Sequence, residues 1–140
     1  MASPALTRTG APAARSAEAP ERWQADAGDR PVARLDVPPH ATRERIFELD
    51  VQLLVGGASS GGAGATHALR VLVNGQQEWS RRVATAEGAE DSLEWRQQRR
   101  VPVGEPLRVQ AHAEVRGTRR RRLTVLAHEE ALPGPAPADR

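Results

Sequence analysis

The sequence predicts an all-β domain, an antiparallel β-sandwich of about seven strands. Three observations predict it. Apolar residues recur with a period of two through the middle of the chain, turn dipeptides such as Asn74-Gly75 punctuate that rhythm, and no long segment holds the 3.6-residue stripe of a helix.

The elements follow in order. Residues 1–30, rich in Ala, Pro, Arg and Glu, carry too little apolar surface to offset the entropy of ordering and read as a disordered arm. Trp23 stands out there as a large aromatic expected to dock on its own domain. The sandwich is expected over residues 31–130. Ala33, Leu35 and Val37 alternate with Arg34 and Asp36; Phe47, Leu49, Val51, Leu53 and Val55 alternate with mostly polar neighbours. Leu69, Val71 and Val73 continue the pattern, then Leu107 through Val115, then Leu123, Val125 and Ala127. One apolar and one wet face is the signature of antiparallel sheets with a single core side. Residues 131–140 read as an extended, Pro-rich tail. Gly56 to Ala65 reads as a flexible connector, because no Gly-Lys-Ser/Thr follows it as a phosphate loop requires.

Side-chain parity suggests hairpin registers. Around Asn74-Gly75, a two-residue turn would pair Val71 with Glu78, mixing the faces. A three-residue loop pairs Leu69 with Trp79 and Arg70 with Glu78, and is the register expected. It places Trp79 on the apolar face. The same reasoning around Gly117-Thr118-Arg119 pairs Ala113 with Leu123, Ala111 with Val125 and Glu114 with Arg122. Val71-Leu-Val-Asn-Gly75 in mid-chain and Val103-Gly-Glu-Pro-Leu-Arg-Val109 near the end give residues 66–128 a rhythm that resembles jelly-roll domains of the galactose-binding-like type. The resemblance implies a jelly-roll-like sandwich, and no site residue is carried over from it.

Composition narrows the function. Twenty basic residues, all arginine, face 18 acidic ones for a net charge of +2. The pI near 10.7 reflects the lack of any group titrating between His and Arg, not a large basic surplus. Without cysteine, thiol chemistry and Cys-ligated metals are excluded. No apolar run is long enough to span a bilayer and no secretory leader is evident, so a cytoplasmic or particle-associated protein is expected. His40, His67, His112 and His128 lack zinc-site spacing, and no cofactor or metal is expected. Glu87, Glu90 and Asp91 read as a solvated turn.

The segment Glu94-Trp-Arg-Gln-Gln-Arg-Arg100 breaks the alternation, since Gln97 and Arg99 fall on the apolar parity. Such a strand reads as a protected sheet edge. Trp95 with Arg96, Arg99 and Arg100 is the alternative partner-binding surface, Trp and Arg being enriched at interface hot spots; Trp23 joins these candidates. The expected function is a non-catalytic structural or interaction protein that docks on a larger assembly, such as a small virion or particle accessory, or on a second copy of itself. A carbohydrate-binding jelly roll using Trp95 is one alternative. A nucleic-acid binder using Arg96, Arg99, Arg100, Arg116 and Arg119 to Arg122 is another, opposed by the scarcity of aromatic stacking platforms.

Overall fold

The computed structural model describes residues 19–59 and 64–131. Eight strands follow one another: β1 (Arg22–Asp26), β2 (Val32–Val37), β3 (Arg45–Gly56), β4 (Thr66–Val73), β5 (Gln76–Ala84), β6 (Glu90–Val101), β7 (Leu107–Arg116) and β8 (Arg120–Glu129). They form two antiparallel sheets, ordered β1-β8-β3-β6 and β2-β7-β4-β5. Pairing β1 with β8, β2 with β7, β3 with β6 and β4 with β5 makes the chain one long hairpin, folded at Asn74-Gly75. The β3–β8 and β4–β7 pairings roll it up. Eight strands rolled into two sheets in this order are a jelly roll. Among the described residues no helix is long and apolar enough to cross a membrane.

The inward parity expected from the sequence builds the core. Phe47, Leu49, Val51, Leu53 and Val55 of β3 lie between the sheets with Leu123, Val125 and Ala127 of β8. They meet Leu35, Leu69, Val71, Val73, Leu107 and Val109 from the other sheet. Each fully buried Leu, Val or Phe contributes roughly 1.5–3 kcal/mol.

Three expectations are corrected. First, the domain begins before residue 31. Residues 22–26 are β1, with Trp23 opposite Ala127. The open edge of β8 supplies the backbone partner that an isolated arm lacks, and Trp23 packs against the core as expected. Residues 1–18 and 132–140, also read as arm and tail, lie outside the described residues.

Second, neither proposed register of the first hairpin survives whole. Asn74 and Gly75 both have positive φ, 50° and 86°, as a two-residue type I′ turn requires. Val73 then faces Gln76 and Leu72 faces Gln77. A bulge at Glu78 shifts the ladder, so Val71 faces Trp79 and Leu69 faces Arg81. The extra residue restores the parity that a plain two-residue turn would lose, and Trp79 packs against the core. Gly75→Val, which forces a branched side chain into that positive φ, should cost about 1–3 kcal/mol; chemical denaturation measures it, and an unchanged midpoint would refute the turn assignment.

Third, Gly117–Arg119 does not close a hairpin. β7 and β8 lie in different sheets, so Ala113 faces Leu69, Ala111 faces Val71, and the chain crosses the sandwich at Gly117. Alternation reports which face a residue takes, not which sheet its strand joins. Gly117 has φ 75°, and a Cβ there would approach Ala65 Cα to 2.9 Å.

The glycine-rich connector is pinned at its start. Gly57 N donates to Ala89 O (3.1 Å) and Ala58 N to Ala86 O (2.9 Å). Residues 60–63 lie outside the described residues.

Candidate functional site

The expected candidates scatter. β6 is an edge strand, as its polar pattern suggests. Trp95, expected as an exposed anchor, is only 8% exposed and belongs to the core. Its inward parity, shared with Leu93 and Val101, decides this, and the sugar-binding alternative thereby loses its platform. Arg96 and Arg100 project from the outer face of the same strand. Arg96 lies 3.2 Å from Glu94 and 3.5 Å from Asp50, and Arg100 pairs with Glu44. Arg99 and Gln97 turn inward at the open side of the sandwich and meet Glu78 of the facing edge strand, at 3.6 Å and 3.5 Å. The bulge that restores parity in β5 also presents this carboxylate. The two intruding polar residues are therefore a seam between the sheets.

The proposed arginine cluster does not assemble either. Arg121 pairs with Glu90 (3.0 Å), Arg120 donates to Gly28 O (3.0 Å), and Arg116 lies on the other sheet, near Glu114. Glu114 pairs with Arg82 and Arg116, not Arg122.

Two polar clusters are buried at the sandwich ends. At one, Arg45 (2% exposed) donates to Glu21 Oε1 (2.7 Å) and to Pro38 O (2.9 Å), with its guanidinium 5.3 Å over the Phe47 ring. Arg43 bridges Glu21 (3.2 Å) and the buried Glu129. Trp23 Nε1 also donates to Glu21 Oε1 (3.0 Å). Burial pushes the Glu21 carboxyl up, but the hydrogen bonds from Trp23 and Arg45 and the two guanidinium charges outweigh it and hold the group below its ordinary range.

At the other, fully buried His67 accepts from Thr85 Oγ1 at Nδ1 (2.8 Å) and donates from Nε2 to Ser92 O (3.2 Å). Only the Nε2–H tautomer satisfies both, since the Ser92 carbonyl must accept. Asp91 stands 4.0 Å from Nε2. Backbone N–H groups of Ala86 and Ser92 hold its carboxyl below the ordinary range, so Asp91 caps a turn rather than dangling in solvent. His67 thus clamps the β5–β6 connection. The other two histidines on strands stand apart from this cluster: His112 lies between Val32 and Arg70, and His128 between Arg22 and Glu48. Among the described residues no cluster of His, Asp and Glu could hold a metal ion.

The feature missed by sequence reasoning is the outer face of the β2-β7-β4-β5 sheet. Five exposed arginines, Arg34, Arg70, Arg82, Arg108 and Arg116, face two carboxylates, Asp36 and Glu114. Asp36 pairs with Arg108 (2.6 Å), and Glu114 with Arg82 and Arg116. Arg34 and Arg70 have no ion-pair partner among the described residues and flank β7 on either side, beside Gln110 and His112. With strands about 4.8 Å apart and a two-residue stagger along β7, they originate roughly 12 Å from each other. Burial lowers the His112 pKa and the Arg70 charge lowers it further. The outer face of the β1-β8-β3-β6 sheet is balanced: Arg22, Arg96, Arg100 and Arg122 stand among Asp26, Glu48, Asp50 and Glu94.

Two grooves border the basic face. One of about 710 Å³ at the hairpin tip is lined by Asp36, Glu105 and Arg108 among others. The second, about 630 Å³, runs from the β1–β2 turn onto the sheet and is lined by Arg30, Arg34, Gln110, His112 and Asp26. No protein-family model and no curated protein sequence matches the chain.

Proposed function

We propose that the domain is a non-catalytic docking module that engages an acidic protein surface of a larger assembly through the outer face of its β2-β7-β4-β5 sheet. The observation that carries this reading is that Arg34 on the edge strand β2 and Arg70 on β4, neither with an ion-pair partner among the described residues, flank β7 on a face where arginines exceed carboxylates. Complementary charge sets the rate and orientation of docking. The sheet edges favour a face over an edge as the contact. β5 has a bulge and exposed Arg81 and Arg82, β6 is charged, and β1 and β2 are short, β2 lying between Pro31 and Pro38. These are devices that block strand addition. Eight-stranded jelly rolls serve in viral capsids and lectins, in keeping with an accessory role on a virion or other particle.

The test is co-sedimentation of the native protein with large particles from its source. Arg34→Glu combined with Arg70→Glu should weaken association by roughly tenfold or more, because like charges then oppose. Arg96→Glu with Arg100→Glu on the opposite sheet should leave it intact. The reverse pattern would return the docking role to the β6 edge and refute the proposal.

A further inference from the structure

We infer that the edge of β8, with the slot behind it, is an acceptor for residues 21–26 of a second copy of this chain, so that two copies pair by exchanging β1. The inference goes beyond the docking reading and uses none of its arginines.

The segment seated on the acceptor defines its chemistry. Five residue pairs, from Arg22↔His128 to Asp26↔Thr124, form the ladder. Glu129 N to Glu21 O (2.8 Å) and Ala27 N to Leu123 O (2.9 Å) extend it at either end. The Glu21 carboxylate enters between Arg45 (2.7 Å) and Arg43 (3.2 Å), while Glu21 N donates to Glu129 Oε1 (3.0 Å). Trp23 packs against the core as the apolar anchor. An aromatic anchor beside a largely desolvated ion pair is the make-up of an interface hot spot. The acceptor side is the more deeply buried: Arg45 and Glu129 are 2% and 3% exposed, whereas no residue of β1 is buried. Glu21 supplies the one carboxylate that pairs with Arg45 among the described residues. An empty acceptor would leave a buried cation uncompensated, so the site demands an acid two residues before a large apolar side chain.

The topology makes the segment exchangeable. β1 is the first described strand and an edge, paired only with β8 among the described residues, so lifting it leaves the other seven strands paired. Apart from the Trp23 Nε1 bond to Glu21, the contacts above join the segment to the rest of the domain. They form equally well when the segment comes from another copy. Only the connection at residues 28–31 must change course. In the closed form it turns back through Arg30 N to Ala27 O (3.1 Å) and Gly28 N to Asp26 Oδ1 (2.7 Å). Pro31 favours an extended Arg30 instead, and an extended path from Ala27 to Val32 spans about 17 Å, so β1 can leave its own sheet for an abutting copy. Short hinges of this kind are where strand exchange occurs.

The chain has no cysteine, so introduced thiols report the exchange directly. Gln24 and Leu126 stand opposite each other across the β1–β8 ladder, close enough for a disulfide. Full-length Gln24→Cys and Leu126→Cys variants are mixed at high concentration, oxidised and separated on a non-reducing gel. Exchange gives a covalent heterodimer roughly tenfold or more above that from Gln24→Cys with the exposed Glu105→Cys, because docked thiols meet at a far higher effective concentration than colliding ones. Light scattering on the wild-type chain should show a dimer whose share rises with concentration, unchanged by Arg34→Glu with Arg70→Glu. A heterodimer above the control supports exchange even where that dimer is a minor species. No heterodimer, a heterodimer no more abundant than the control, or a dimer in which the two variants fail to crosslink would overturn the proposal.

Discussion

Arg45→Ala is expected to destabilise the domain by about 3–5 kcal/mol, the usual cost of removing one partner from a buried ion pair. Arg45 is 2% exposed and supplies bonds to both Glu21 and the Pro38 carbonyl, so its loss strands an acceptor and leaves a cavity over Phe47. Against a total stability of roughly 5–15 kcal/mol, this is a large fraction. Thermal unfolding should show a fall in Tm of more than about 10 °C. Glu21→Ala in the same background should cost much less than it does alone, because the pair acts as a unit. Additive losses would show that the two side chains are energetically independent. The pH dependence carries the same signature. The Glu21 carboxyl is held low in the folded state, so its contribution is fully present above the ordinary carboxylate range and is lost as pH falls from that range through the lower folded-state value. Wild type should therefore lose stability on acidification more steeply than Arg45→Ala.

Gly57→Ala is the second large effect. A Cβ at Gly57 would collide with the carbonyl oxygen and backbone of Gly88, where the two connections run side by side. Backbone cannot rotate out of the way as a side chain can, so the strands that both connections serve must shift. The cost should reach about 2–3 kcal/mol by urea unfolding. Ser59→Ala, two residues on and exposed, should change little. A Gly57→Ala protein as stable as wild type would show that the β5–β6 connection is not pinned there.

Much of this fold was legible because period-two alternation is a local property. Of the inward residues from Leu35 to Ala127 that parity names, all but Val103, which lies past the end of β6 and is 47% exposed, are buried or half-buried. The buried polar groups, which the sequence reading did not single out, follow the same parity. Arg45 continues the Phe47 series, His67 the Leu69 series, and Glu129 the Leu123 series, each by a step of two. What parity lacked was their partners, which lie far along the chain: Glu21 for Arg45, Thr85 and Ser92 for His67. Trp95 was misread for a related reason. Its polar neighbours on both parities suggested a two-sided wet strand, although Trp95 itself keeps the inward parity of Leu93 and Val101.

The candidate site was illegible from the sequence because it is assembled from three strands. Arg34, Arg70 and His112 come together only when β7 is inserted between β2 and β4. Conversely, the arginine run at 119–122, conspicuous in sequence, disperses once alternation and the crossover at Gly117 send its members in different directions.

The sequence by itself determined the fold class, the two-faced strands, the inward set and the polar edge at β6, because hydrophobic period and turn chemistry act between near neighbours. Tertiary structure alone decided which strands pair, that β1 belongs to the domain, that a bulge at Glu78 corrects the first hairpin, and that Arg34 and Arg70 share a face with His112. Those outcomes depend on closing the two sheets over one core, where each strand's partner is set by the best burial available to the whole chain.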